Sequence, residues 1–285
     1  MIQHHRCGYV AIVGRPNVGK STLLNQIIGQ KLAITSYKSQ TTRHSILGIK
    51  TCANGQILFV DTPGLHLSKD NVFNRELNRI AKDTIANANT ILLVLEAGRW
   101  TQEDAMTLDA ITKFKIPCIA VLNKIDRLSN HNLLLPYINT LSQRYKFYSL
   151  IPISAQKNIK LDLLEQEILN TLPVGEAKYP TEQLSDRPLK FFAAEFLREQ
   201  LTRFYAQELP YQLSVDIEQF QESKKLNRIV AIIWVQRSTQ KAIIIGKQGL
   251  ALKTAASEAR LAMEKFFEKK VYLEVVVKVA KQLGI

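Results

Sequence analysis

Short apolar runs punctuate the first 172 residues, at Tyr9–Val13, Ile57–Val60, Ile91–Leu95, Cys118–Leu122 and Leu150–Ile153. Between them, apolar residues return every three or four positions in Ser21–Ile28, Glu76–Ala88, Glu103–Phe114, Leu133–Tyr145 and Leu161–Leu172. A short run without a polar face is a strand covered on both sides, whereas the three-to-four return is a helix with one buried stripe. Strands alternating with helices predict an α/β domain: a mostly parallel sheet with helices on both faces.

The pattern changes at Pro173. The stretch Pro173–Pro188 holds Pro173, Pro180 and Pro188, few large apolar residues and several charges, which is the composition of a linker. A helical pattern follows at Leu189–Glu208, then β-rich runs at Gln212–Phe220 and Arg228–Val235. Apolar Ala242–Ile245 leads into Gly246-Lys247-Gln248-Gly249, an amphipathic helix over Leu250–Glu268 with Ala255, Ala259, Ala262 and Phe266 on one stripe, and a last strand at Val271–Val279. The expected division is therefore 1–172, a linker at 173–188, and a smaller α+β domain at 189–285. Aromatic residues Phe191, Phe192, Phe196, Phe204 and Tyr205 on the first helix of that domain read as core rather than as stacking platforms.

Composition narrows the picture. With 285 residues, 46% apolar and 22% charged, the chain is long enough for two cores and too apolar for wholesale disorder. No run approaches the ~18 uncharged apolar residues of a membrane span, and the apolar segment before Gly14-Arg15 is too short for a secretory signal. Cys7, Cys52 and Cys118 lie far apart, which excludes a disulfide framework or zinc set and suits reduced thiols in the cytoplasm. The net charge of +13 favours a polyanionic partner, nucleic acid or an anionic membrane surface. Residues 1–175 carry 20 Lys and Arg against 12 Asp and Glu, and residues 176–285 carry 18 against 13, so charge singles out neither domain.

The sharpest chemistry lies in Gly14-Arg15-Pro16-Asn17-Val18-Gly19-Lys20-Ser21, followed by Thr22. It fits the phosphate-loop pattern G-x-x-x-x-G-K-[ST], a match expected by chance roughly 0.005 times in this composition. Glycines let the backbone N–H groups curl towards phosphate oxygens, and the helix that follows adds the positive end of its dipole. Lys20 would reach the β- and γ-phosphates, and Ser21 would ligate Mg²⁺. Asp61-Thr62-Pro63-Gly64 follows a strand, which would put Asp61 near Mg²⁺ through water and the Gly64 N–H near the γ-phosphate. One threonine of Gln40-Thr41-Thr42-Arg43, Thr42 in preference to Thr41, would complete the metal shell. In Asn123-Lys124-Ile125-Asp126, a carboxylate can accept both donors on the guanine edge, which adenine does not offer. Asn123 would reach the base or tie loops together, and the Lys124 stem would cover the ring.

Taken in order, with Ser39–His44 (S-Q-T-T-R-H) and Val60–His66 (V-D-T-P-G-L-H), these motifs resemble the translation-factor class of GTPases and, more narrowly, its Era-like family. The resemblance covers nearly the whole chain. It implies GTP hydrolysis with Lys20, Thr42 and Gly64 stabilising the transition state, and a backbone contact from Ser154-Ala155 to the guanine carbonyl. Leu65 stands where many GTPases carry a water-orienting Gln, so slow intrinsic turnover is expected and no general base is assigned. Asn17 is a candidate K⁺ ligand, since in related GTPases an Asn here helps hold K⁺ against the phosphates.

The second domain resembles a type II KH domain in its α-β-β-α-α-β order. That resemblance implies an RNA clamp at Ile245, Gly246, Lys247, Gln248, Gly249 and Lys253 for about four single-stranded nucleotides. Lys224, Lys225 and Arg228 read as a solvated turn or as further phosphate contacts. The family also implies 16S rRNA near its 3′ end and the 30S subunit as partners, GTP and GDP as ligands, and a cytoplasmic monomer with weak peripheral association at the inner membrane. A membrane-surface regulatory GTPase without a specific RNA target is the alternative. Ile2 where myristoylation needs Gly, and the lack of a C-terminal CaaX, give it no lipid anchor. A P-loop ATPase or kinase is opposed by Asn123–Asp126.

Overall fold

The computed structural model describes residues 5–35, 45–62, 79, 81–205 and 213–280. The chain divides into two compact units: of the described residues, 5–33, 45–62, 79 and 81–186 form the first, and 34–35 with 187–280 form the second.

The first unit is built on six strands: β1 (Arg6–Val13), β2 (Ile46–Cys52), β3 (Gly55–Asp61), β4 (Thr90–Glu96), β5 (Cys118–Asn123) and β6 (Ser149–Pro152). They lie in the order β2-β3-β1-β4-β5-β6, parallel throughout except for the β2–β3 hairpin. Val10, Ala11 and Ile12 of β1, Ile91–Leu95 of β4 and Ile119–Leu122 of β5 are fully buried, which is why these strands read as unbroken apolar runs. Helices α1 (Lys20–Ile28), α2 (Gln102–Ile111) and α3 (Leu134–Arg144) lie between them in the chain, and α4 (Leu161–Thr171) follows β6. Thr101 opens α2 with a reciprocal cap, its Oγ accepting from the Asp104 N–H while the Asp104 carboxylate accepts from the Thr101 N–H at 2.9 Å. The helix expected over Glu76–Ala88 is helical at 81–86; most of its first half lies outside the described residues.

Two features differ from the sequence expectation. The edge strand β2 is absent from it because Gly48 and Lys50 break its apolar run. Gly48 is there for space: a Cβ at this position would sit 2.6 Å from Leu24 Cδ1 of α1. The second difference is the linker. Residues 173–186 belong to the first unit, running as a strap that touches β1 and β3 and ends on the edge strand β2. The Cys7 N–H donates to Pro173 O at 3.1 Å and the Gly175 N–H to His5 O at 3.0 Å. Further on, the Ile49 N–H donates to Leu184 O at 2.8 Å and the Ser185 hydroxyl to Leu47 O at 2.6 Å. At the centre Gln56, fully buried, uses its whole amide. Its Oε1 accepts from Lys178 N–H (2.8 Å) and Tyr179 N–H (3.0 Å), and its Nε2 donates to Tyr179 O (2.8 Å) and Thr51 Oγ (3.0 Å). The strap's composition reads as linker because main-chain pairing and one side chain of the sheet hold it, with few apolar residues of its own.

The second unit packs α5 (Leu189–Phe204), α6 (Ser238–Ile245) and α7 (Leu250–Phe267) with three strands, β7 (Leu213–Glu222), β8 (Leu226–Val235) and β9 (Lys270–Val279). The sheet order is β7-β8-β9; β7 and β8 are antiparallel with a bulge at Ile217/Gln219, and β8 and β9 are parallel. Ala255, Ala259 and Met263 of α7 are fully buried, and Phe266 packs against Phe192 at a tilt and against Phe196 edge-on, at centroid distances of 5.0 and 5.1 Å. The helix aromatics Phe192, Phe196 and Tyr205 are buried, whereas Phe204 is half exposed. The order α-β-β-α-α-β is that of a type II KH domain.

Replacing Gln56 with Leu keeps the volume but leaves the Lys178 and Tyr179 amides unpaired. A loss of about 1–3 kcal/mol per buried polar group sets the scale. Gln56→Leu should lower the urea unfolding free energy by ~2 kcal/mol and speed hydrogen exchange at Lys178 and Tyr179; unchanged protection there would show that the strap is held by other contacts.

Candidate functional site

The functional residues of the first unit gather where the parallel strands end. β1 delivers the loop Gly14–Gly19 and α1 begins at once with Lys20. Lys20 is nearly buried, and its Nζ donates to Gly14 O and Arg15 O, both at 2.9 Å. Burial pushes its ammonium down to about 8, against the opposing pull of the Asp61 carboxylate. A polyphosphate seated in the loop would reverse that shift by supplying the missing anion. Gly19 sits at φ +102°, and a Cβ there would fall 2.3 Å from Asn123 Nδ2, so both the backbone and the neighbour demand glycine. Val18 is buried, Asn17 is exposed at φ +63°, and Pro16 and Thr22 are partly covered.

At the start of α1 the Ser21 hydroxyl donates to Asp61 Oδ2 at 2.9 Å. Asp61 is fully buried at the end of β3, opposite Ile12 of β1. A hydroxyl and a carboxylate so placed are hard oxygen donors, the chemistry that suits Mg²⁺. The sequence puts Thr62 among the nucleotide ligands, but its hydroxyl donates to Ile12 O at 2.8 Å and serves the sheet. Thr41, Thr42, Pro63, Gly64 and Leu65 lie outside the described residues.

The base-recognition motif ends β5. Asn123 acts as a brace: Nδ2 donates to Val18 O at 2.9 Å, and Oδ1 accepts from Ala155 N–H at 3.0 Å and Lys124 N–H at 2.8 Å. Of the two roles open in the sequence, it takes loop tying. The Ala155 N–H, expected to face the guanine carbonyl, is engaged by this brace. Ser154 is buried, and its hydroxyl donates to Asp126 Oδ1 at 2.5 Å, aiming the exposed carboxylate of the short helical turn Ile125–Arg127. The Ile125 N–H donates to Ile153 O at 3.2 Å and docks that turn on the neighbouring loop. Lys124, at φ +68°, sends its Nζ to Asn17 O at 2.7 Å.

The Arg15 side chain serves the loop's architecture. Its guanidinium turns away from the loop mouth, with Nε on Asp104 Oδ2 at 3.3 Å and Nη2 on Glu96 Oε2 at 2.5 Å. Glu96 and Asp104 were missed by the sequence reading. The one signal available was the position of Glu96 at the carboxyl end of a central strand, where α/β sheets place ligand chemistry.

In the second unit the Gly246–Gly249 loop joins α6 to α7. Tyr205 donates to Ile244 O at 2.6 Å and fixes the end of α6 against the start of the loop. Gly249 lies at φ +76° with open space where a Cβ would be, so its backbone can be approached closely. Lys247 and Lys253 are exposed beside it, as are the apolar Ile243 and Leu250. Ile245 and Gly246 are partly covered and Gln248 is exposed. Lys224 and Lys225 are exposed on the β7–β8 turn, and Arg228 lies 5.6 Å over the Tyr272 ring.

Comparison with known proteins bears on both units. Residues 9–124 match the family described as 50S ribosome-binding GTPase, and residues 208–283 match the KH domain. The chain is 46% identical over 273 residues to the GTPase Era of Coxiella burnetii (strain Dugway 5J108-111), covering 96% of this chain and 92% of that protein. It is similar to the crystal structure of a point variant of Aquifex aeolicus Era bound to GDP.AlF4-, with TM-score 0.91, 37% identity and coverage of 96% and 94%. It is equally similar to that of Era in complex with MgGDPNP and nucleotides 1506–1542 of 16S ribosomal RNA, with TM-score 0.91, 38% identity and coverage of 97% and 94%.

The exposed carboxylate of Asp126, oriented by Ser154, is the candidate base reader. Asp126→Asn should weaken GDP binding by about 100-fold or more, because paired donors on the guanine edge lose their acceptor. It should also raise the relative affinity for xanthosine diphosphate. Calorimetric titration with both nucleotides tests this, and an unchanged GDP affinity would remove Asp126 from the role.

Proposed function

The chain belongs to the Era family of GTPases, and from that premise we propose that it is a GTP-driven switch that clamps 16S rRNA near its 3′ end and assists maturation of the 30S subunit. The observation that carries the reading is the Gly246–Gly249 loop, flanked by exposed Lys247, Lys253, Ile243 and Leu250, on the same chain as a complete nucleotide loop. Support comes from the RNA-bound relative at 38% identity. Glycines without Cβ atoms admit the sugar–phosphate backbone, the lysines meet its charge, and the apolar rim covers base faces.

In the nucleotide site Lys20 neutralises phosphate charge while its protein partners fix its direction. Ser21 would hold Mg²⁺ directly and Asp61 through water, with Thr42 as the third protein contact in the GTP state. Mg²⁺ when bound supplies charge neutralisation across the β- and γ-phosphates. Leu65 offers no hydrogen bond to an attacking water, so hydrolysis rests on the electrostatics of Lys20 and the loop N–H groups and is slow. Asn17, exposed on the loop, is the proposed K⁺ contact.

The strap offers the route from nucleotide to RNA. It is fastened to Ile49 and Leu47 of β2 and to Gln56 of β3. This hairpin runs from the segment that holds Thr41 and Thr42 to the one that holds Gly64, so a change at either end acts on the chain that leads to the KH domain. The reading places the protein in the cytoplasm as a monomer, with weak association at the anionic inner face of the cell membrane through its net charge of +13.

Gly249→Asp should reduce affinity for a single-stranded fragment of the 16S rRNA 3′ end at least ~10-fold at fixed salt, by adding bulk and negative charge at the backbone approach. GTP turnover should be unaltered. Normal RNA binding by this variant would refute the clamp. For Asn17, GTP hydrolysis should be faster in KCl than in NaCl at equal ionic strength; equal rates would exclude the K⁺ role.

A further inference from the structure

Glu96 ends β4, directly opposite Asn123 of β5. Its two carboxylate oxygens serve different parts of the nucleotide site. Oε2 accepts from Arg15 Nη2 at 2.5 Å, and Oε1 faces Lys124 Nζ at 3.4 Å. The Lys124 ammonium also donates to Asn17 O at 2.7 Å. Arg15 and Asn17 belong to the same phosphate loop, so the contacts close a ring: loop backbone, Lys124, Glu96, Arg15 and back to the loop. A second carboxylate steadies the far side. Asp104 Oδ2 pairs with Arg15 Nε at 3.3 Å and is itself held by Thr101 Oγ at 2.8 Å and the Thr101 N–H at 2.9 Å. Tyr137 caps the turn after β4, its hydroxyl donating to Arg99 O at 3.0 Å.

The charges balance, two cations against two carboxylates, in a setting where Arg15 and Asp104 are nearly or fully buried. Removing one carboxylate there leaves a cation without compensation. Burial pulls the Lys124 ammonium down, and the Glu96 carboxylate opposes that pull.

We propose that Glu96 is a positioning residue for nucleotide retention: it couples the phosphate loop to Lys124, so that the lysine stem stays across the purine face and the two loops release the nucleotide together. The role concerns the ring face, in contrast to Asp126 at the ring edge. Loss of Glu96 should therefore affect guanine and hypoxanthine nucleotides alike.

The test is the release of GDP and of inosine diphosphate from the full chain, followed by stopped flow with fluorescent analogues. The variants are Glu96→Gln, Glu96→Asp, Lys124→Met and the double variant Glu96→Gln/Lys124→Met. Glu96→Gln should speed release of both nucleotides about 10-fold, within the range of directly coupled charged neighbours. Glu96→Asp, which keeps the charge and loses reach, should fall between it and the native chain. The double variant should release no faster than Lys124→Met alone, because Glu96 acts through that lysine. Unchanged release in Glu96→Gln, or effects that multiply in the double variant, would overturn the proposal. Multiplying effects are what a general loosening of the fold would produce, so the cycle separates positioning from stability, with thermal unfolding of each variant as the control.

Discussion

The nucleotide site depends on the side chain of Asn123. One buried carboxamide at the end of β5 holds the carbonyl of Val18 in the phosphate loop and the N–H of Ala155 in the loop after β6. It approaches Gly19 so closely that no other residue fits there. Without it, buried donors and acceptors on two loops would lose their partners at about 1–3 kcal/mol each. The loops arrive at this side chain because β1, β5 and β6 run parallel and end on the same edge, the place where an open α/β sheet collects its ligand chemistry. The exposed Asp126, aimed by Ser154, and the buried Lys20, held by two loop carbonyls, are consequences of that shared frame.

The same edge explains what could be read in advance. Buried parallel strands lack a polar face, so Ile91–Leu95 and Cys118–Leu122 are legible as apolar runs, and the motifs at their ends are legible by spacing. What escaped was set by partners distant in sequence. Gly48 disguises β2 because its reason is a leucine on α1. The strap at 173–186 looks like linker because Gln56, more than a hundred residues earlier, supplies its hydrogen bonds. Arg15 stands in the loop by its place in the motif, but the partners of its guanidinium, Glu96 and Asp104, come from separate elements that the motif does not name. Thr62 is likewise drawn to the sheet by a carbonyl of β1. In the second unit Phe192, Phe196 and Tyr205 read correctly as core, Phe192 and Phe196 meeting Phe266 of α7, whereas Phe204 is exposed and Phe191 only partly covered.

A GTPase whose loops are braced this tightly needs a place where the γ-phosphate can act. The β2–β3 hairpin has the geometry for it. Its ends adjoin the two segments that would sense the phosphate, and its outer edge carries the strap that continues into the KH domain. Hydrogen bonds with Ile49, Leu47 and Gln56 hold the strap to this hairpin, unlike a free linker of the same length. The proposed RNA clamp at Gly246–Gly249 needs no chemistry of its own beyond exposure, charge and the close approach that glycine permits. In the proposed function, nucleotide binding sets when the clamp is presented.

Coupling of this kind is reciprocal by thermodynamic necessity. The direct measurement is a closed cycle on the full chain at fixed near-physiological salt. Affinity for a single-stranded fragment of the 16S rRNA 3′ end is measured with GDP and with a non-hydrolysable GTP analogue, and the affinity ratio of the two nucleotides is measured with and without that RNA. The account predicts tighter, sequence-selective RNA binding with the analogue, and the same factor recovered from the nucleotide side. RNA binding that is indifferent to both nucleotide and sequence would contradict it, leaving a GTPase and a basic surface that act independently.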